Sequence, residues 1–174
     1  MIDLTPYAVV DCETDSLPPG QMPWEIAVLR RSRDVDVWVH EVIHIIDFDA
    51  DSMTEQAAAV NGFQRRWLNE PGARGMTRHN ACVHLAHILE GRTIVGSKPS
   101  FDQDALENMG VAPTWNHHYR DVPSMFLGAY GYDIKGLQGV CDALSIVNDA
   151  PHTALGDAWA TARAFEQILG AVPR

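Results

Sequence analysis

Val9-Val10-Asp11-Cys12-Glu13-Thr14-Asp15-Ser16-Leu17 is an apolar run that ends in two carboxylates one residue apart. Tyr7 to Val10 are β-branched, aromatic or small, and Pro18-Pro19-Gly20 follow, so the run reads as a buried strand ending at a turn. Side chains on a strand alternate faces. Asp11 and Glu13 therefore project to one side and Cys12 to the other. Two carboxylates held that close repel, and a bound cation or a shared proton is the usual remedy. Oxygen ligands of this kind suit Mg²⁺ or Mn²⁺. Two acids at a solvated strand end is the plainer reading of the pair alone.

Working outward, Pro23 to Arg31 resumes an extended pattern and Val35 to Ile46 gives a third, so the first part of the chain reads as a three-strand meander. His40 and His44 share one face of the third strand and read as surface histidines. Past Asp51 the spacing turns helical: Ser52 reads as a cap with Glu55 three residues on, and Asn61-Gly62 ends that helix. Gln64 to Thr77, with Arg65, Arg66, Arg74 and the adjacent Arg78, reads as a mobile connection with a positive edge, a candidate for phosphate contact or an ordinary loop. His79, Cys82, His84 and His87 have spacings that zinc ligands use. The apolar pattern from Cys82 to Leu89 favours a core-packed helix instead.

Arg92 to Gly96 reads as a short buried strand, and Phe101 to Leu106 as the opening of a helix in which the dipole favours Asp102. Tyr119 to Val122 reads as a last strand, with helices from Pro123 and over Gly136 to Leu144. An Ala-rich amphipathic helix runs to about Leu169. Five helical residues turn through roughly 500°, so His152 and Asp157 share a pocket only if His152 precedes that helix.

A chain of 174 residues with 46% hydrophobic content suits one compact domain, 1–174, with strands first and then strands alternating with helices: a mixed α/β sheet flanked by helices. Three widely spaced cysteines fit a reducing compartment. Nothing resembles a signal peptide, and no apolar run reaches the ~18 residues of a membrane span, so the expected location is cytoplasmic with no membrane partner. A net charge of −10 argues against a broad electrostatic grip on nucleic acid. It permits a nuclease whose acids hold metal, with a short footprint.

Together these motifs resemble the DEDDh group of 3′–5′ exonucleases, which includes proofreading subunits, ribonuclease T and oligoribonuclease. Asp11-Cys12-Glu13-Thr14 is similar to the first motif, Asp102 after Phe101 to the second, and His152 with Asp157 in His-Thr-Ala-Leu-Gly-Asp-Ala to the third. Glu25-Ile26-Ala27-Val28, and Asp121 before Pro123, also resemble the family. One departure is Lys98, four residues before Asp102, where members often carry Asn; it bears on local hydrogen bonding and substrate range.

The resemblance implies a ribonuclease H-like fold with a five-stranded sheet whose second strand is antiparallel to the rest. It implies two Mg²⁺ or Mn²⁺ ions. Asp11 would bridge them, Glu13 and Asp157 would complete one site, and Asp102 would hold the other through water. His152 would take the proton from the attacking water. Glu13 and the Thr14 backbone would face the terminal 3′-hydroxyl, and Leu17 would wedge against the terminal base. The implied substrate is a single-stranded 3′ end of DNA or RNA, the product a nucleoside 5′-monophosphate, and the resemblance admits a polymerase or replication partner. Two other readings remain: a catalytically silent binding module on the same fold, and a metal-dependent nucleotide phosphohydrolase.

Overall fold

In the computed structural model, which describes residues 6–31, 37–69 and 71–171, the acidic motif closes the central strand of a sheet. That strand, β1 (Tyr7–Thr14), pairs antiparallel with β2 (Pro23–Arg31) and parallel with β5 (Thr93–Gly96). β3 (Trp38–Ile45) flanks β2, and β4 (Arg74–Met76) and β6 (Tyr119–Asp121) form the edges. The order is β4-β3-β2-β1-β5-β6. Only β2 runs against the others. The five strands implied by the family are all present, and β4 adds a sixth beyond β3.

Helices cover both faces, which is why β2 is buried over most of its length rather than at alternate positions. On one face α3 (Arg78–Ile88) and α4 (Pro99–Met109) pack Leu85, Leu106 and Met109 on Val10, Ile26 and Ile43. On the other, α5 (Val122–Tyr130), α6 (Gly136–Leu144) and α7 (Ala154–Ala171) pack Phe126, Val140 and Phe165 on Val9, Ala27 and Leu29. Small side chains at Ala154, Ala158 and Ala162 repeat every four residues, so α7 lies close on the sheet beside β1. No described helix is long and apolar enough to cross a membrane.

Between β3 and α3 the structure corrects several expectations. The cap of α1 (Glu55–Asn61) is Thr54, whose hydroxyl accepts from the Ala57 N–H, while Ser52 lies in a short 3₁₀ turn and donates to Asp15 and to the Asp49 carbonyl. Glu55 is thus the first helical residue. The segment expected to be a mobile connection contains α2 (Phe63–Arg66) and β4, and its arginines are partly consumed internally. Arg66 pairs with Glu25, and Arg78 donates to the Met109 carbonyl at 2.7 Å. His44 is not at the surface: it is 1% exposed, because β2–β3 register sets it opposite Glu25 beneath Trp24 and α2. His40 is exposed. The expected start of β3 at Val35 lies outside the described residues. His79, His84 and His87 lie on the outer side of α3, with His84 bonded to Glu41 at 2.7 Å, while Cys82 packs toward α4 and its thiol donates to the Met109 carbonyl at 3.5 Å.

Candidate active site

β1 carries Asp11 and Glu13 toward the α7 side of the sheet, while Cys12 turns into the opposite core. At the other wall, α7 opens with Asp157 in its first turn, where the positive end of the helix dipole favours an acid. Oxygens of Asp11, Glu13 and Asp157 all come within 4.8 Å of one another. Among the described residues this is the one group of carboxylate, imidazole or thiolate ligands so arranged.

Asp102, in the first turn of α4, is 3% exposed and is held from the far side of β1: its Oδ1 accepts the Cys12 N–H at 2.9 Å. It stands outside the three-oxygen cluster, yet its charge still raises the pKa of Asp11.

The electrostatics of the group are uniformly unfavourable to ionisation. Burial, then Asp102, Glu13 and Asp157, hold the Asp11 carboxyl well above the usual carboxylate range. Burial, with the Glu25 and Asp157 charges, pushes Glu13 up to about 7. Asp157 is raised by burial, against opposing hydrogen bonds from Asn148 and His152. Burial raises Asp102 although it accepts the Cys12 N–H. Four acids whose protons are held this tightly, three of them with converging oxygens, form a donor set that fits a hard divalent cation.

His152 precedes α7, as convergence with Asp157 requires, and adopts φ 60°. Its imidazole is exposed and close enough to Asp157 to lower that acid's pKa. Thr153 caps the helix by accepting the Gly156 N–H at 3.0 Å, and its hydroxyl donates to the Ala150 carbonyl at 2.8 Å. A Cβ on Gly156 would overlap that carbonyl oxygen, so the tight turn bearing His152 requires glycine there.

Beside the acids lies a cavity of about 300 Å³ lined by Glu13, Thr14, Leu17, Val60, Asn61 and Phe101, among others. Leu17 is 68% exposed at its mouth. The loop carrying Leu17 is built by Asp15, whose carboxylate accepts from the Ser16 and Ser52 hydroxyls and the Met22 N–H. Asn61 donates to the Thr14 carbonyl at 3.0 Å, fixing the opposite wall.

No protein-family model and no curated protein matches the sequence. Solved structures do. The chain superposes on cell-death related nuclease 4 (CRN-4) with TM-score 0.72 at 12% identity, covering 97% of this chain and 65% of that one. It also superposes on the nuclease domain of 3′hExo, a DEDDh family member bound to rAMP, with TM-score 0.72 at 11% identity, covering 98% and 94%. For the Pan2 catalytic unit of Neurospora crassa, a protease and nuclease domain, the TM-score is 0.61 at 17% identity, covering 95% and 27%. The fold is that of the DEDDh exonucleases.

Within that DEDDh fold the structure brings Asp11, Glu13 and Asp157 together, sets His152 at their edge and holds Asp102 behind β1. Thr14 and Leu17 line the adjoining cavity. Sequence reasoning missed Asp15, Asn148 and Gly156. Asn148 donates to Asp157 Oδ1 at 2.6 Å. A local signal existed for Asp15, an Asp opening a Pro-Gly-rich loop, and for Gly156, a glycine inside a helix opening.

Proposed function

We propose that this chain is a divalent-metal-dependent 3′–5′ exonuclease acting on single-stranded ends of DNA or RNA and releasing nucleoside 5′-monophosphates. The observation that carries the reading is the convergence of Asp11, Glu13 and Asp157 beside a nucleotide-sized cavity. Likeness to a nuclease domain bound to rAMP supports a nucleoside monophosphate as the group that cavity accepts.

Asp11, Glu13 and Asp157, with Asp102 behind them, would hold Mg²⁺ or Mn²⁺, which would supply a Lewis acid and neutralise charge on the transferring phosphate. Two ions would need Asp102 as well as the three-oxygen cluster. His152, free of the helix and open to solvent, accepts the proton of the attacking water, since imidazole titrates nearest neutral pH. Glu13 and Thr14 receive the terminal hydroxyl, and exposed Leu17 packs on an unstacked terminal base. A net charge of −10 leaves recognition to this local pocket, so an unpaired end is favoured over a duplex end, whose opening costs a few kcal/mol.

The test compares 5′-labelled oligonucleotides, DNA and RNA, ending in a 3′-hydroxyl or a 3′-phosphate. Stepwise shortening of the hydroxyl form alone, dependent on Mg²⁺ or Mn²⁺ and stopped by EDTA, is expected, because a pocket built for a hydroxyl rejects its replacement. Cuts within a circular strand, or hydrolysis confined to mononucleotides, would overturn the reading.

A further inference from the structure

One buried network ties the His152 segment to the sheet directly beside the acidic cluster. Glu25 in β2 stands in register with Glu13 in β1 and with His44 in β3, and it is fully buried. His44 Nδ1 accepts the Leu68 N–H at 3.2 Å, so Nε2 carries the proton and faces Glu25 Oε1 at 3.5 Å. Burial alone would raise the Glu25 pKa. Contacts with His44, Arg66 and the Ala154 N–H instead lower it, so Glu25 is a carboxylate.

Arg66 completes the network. Its guanidinium pairs with Glu25 Oε1 and donates to the main-chain carbonyls of Asn61 at 2.9 Å and His152 at 3.1 Å. The other Glu25 oxygen accepts the Ala154 N–H at 3.2 Å. The three residues 152–154 are therefore gripped at both ends, by Arg66 on the His152 carbonyl and by Glu25 on the Ala154 amide. At the first of those grips His152 sits at φ 60°, which a non-glycine residue keeps only where its surroundings over-determine it. The same guanidinium reaches the Thr14 wall through Asn61.

We propose that Arg66 and Glu25 are positioning residues that lock the 152–154 backbone, and thereby present the His152 imidazole to the Asp11, Glu13 and Asp157 cluster. The catalytic half of this statement rests on the exonuclease reading; the structural half does not. A rigid fork serving three acceptors is a property of arginine that a lysine ammonium cannot reproduce, even though lysine preserves the charge opposite Glu25.

Two variants of the full chain, Arg66→Lys and Glu25→Gln, test it. As the first residue of α7, Ala154 has no intrahelical acceptor for its N–H, so its hydrogen-exchange protection reports the Glu25 contact directly. Both variants are expected to accelerate Ala154 exchange at least about tenfold while Ala160 and Ala164, inside the helix, keep their rates. The kcat on a 3′-hydroxyl oligonucleotide should fall roughly 10–100-fold in both variants; Arg66→Lys, which keeps its charge, should leave Mn²⁺ affinity near wild type, whereas Glu25→Gln also removes a charge beside Glu13 and should shift it. In a His152→Ala background Arg66→Lys should cause no further loss, since the interaction it breaks acts through the missing imidazole. Unchanged Ala154 exchange overturns the grip. Losses that multiply with His152→Ala overturn the positioning role and leave a buried ion pair serving stability. A wild-type chain with no nuclease activity retires the exonuclease reading, while the exchange rates still decide whether Arg66 and Glu25 hold the segment.

Discussion

Glu13→Gln separates a cluster built around a cation from a cluster of ordinary structural acids. Glu13 is pushed from 4.5 to about 7, chiefly by burial and then by Glu25 and Asp157. Its folded pKa lies above its unfolded value, so between pH 4.5 and 7 the folded chain binds more protons than the unfolded one, and metal-free stability falls as pH rises through that window. At about 1.36 kcal/mol per pKa unit the full penalty above pH 7 is at most about 3 kcal/mol. Allowing for solvent screening at a partly exposed group, about 1–2 kcal/mol is expected. Gln keeps the shape and removes the charge. In a chain of 174 residues, 1 kcal/mol moves Tm by about 2–4 °C, so EDTA-treated Glu13→Gln should melt roughly 2–8 °C above wild type at pH 8. At pH 4, below the unfolded value, where folded and unfolded wild type both hold the proton, the two should melt together. Saturating Mn²⁺ should reverse the order at pH 8, since about 100 Kd of free ion stabilises only the intact site by about 2.7 kcal/mol. Differential scanning fluorimetry across pH, with EDTA and with Mn²⁺, reads all three comparisons. A variant that melts below wild type by the same amount at both pH values without metal would refute the reasoning, because the Glu13 charge would then be compensated within the metal-free fold.

His152→Ala should lower kcat by about 10²–10⁴-fold while calorimetric Mn²⁺ affinity and Tm stay near wild type; unimpaired turnover in a metal-binding mutant would remove His152 from proton transfer. Gly156→Ala would ordinarily gain helix propensity, yet its Cβ would meet the Ala150 carbonyl and crowd the Thr153 hydroxyl at 2.8 Å. Destabilisation of about 1–3 kcal/mol in urea, with a loss of turnover, is expected, and a gain in stability would show that the turn does not need glycine.

The strands and long helices were legible because their signals are local. The apolar run into Asp11 and the helix from Gly136 to Leu144 lie where periodicity puts them. β4 was not legible, because three residues with an arginine and a glycine carry no strand signal; β4 exists only because β3 offers a free edge to pair with. Ser52 and Thr54 compete as caps within three residues, and the choice falls to the one whose hydroxyl reaches a helical N–H; Ser52 is already engaged by Asp15. That contact spans 37 residues and leaves no trace in local sequence.

The same distinction governs the site. Residues that converge because of strand alternation or helix position, Asp11, Glu13 and Asp157, were readable from spacing once family-like motifs fixed their order. Residues that work through register were not: His44 read as a surface histidine because nothing near it in sequence announces Glu25 in the neighbouring strand. Lys98 shows how structure resolves a departure that sequence only flags. It caps α4 at φ 65° without a side-chain hydrogen bond, a left-handed conformation that asparagine tolerates better than lysine. Its main-chain N–H nonetheless bonds Asp121 at 2.8 Å, and that carboxylate also accepts the Ser124 N–H at 3.1 Å in the first turn of α5. Asp121 thus fixes the entry to α4 through the backbone, where the identity of residue 98 matters least. Asp102 follows four residues later with its own anchor on Cys12, so the left-handed turn at Lys98 does not decide where Asp102 sits.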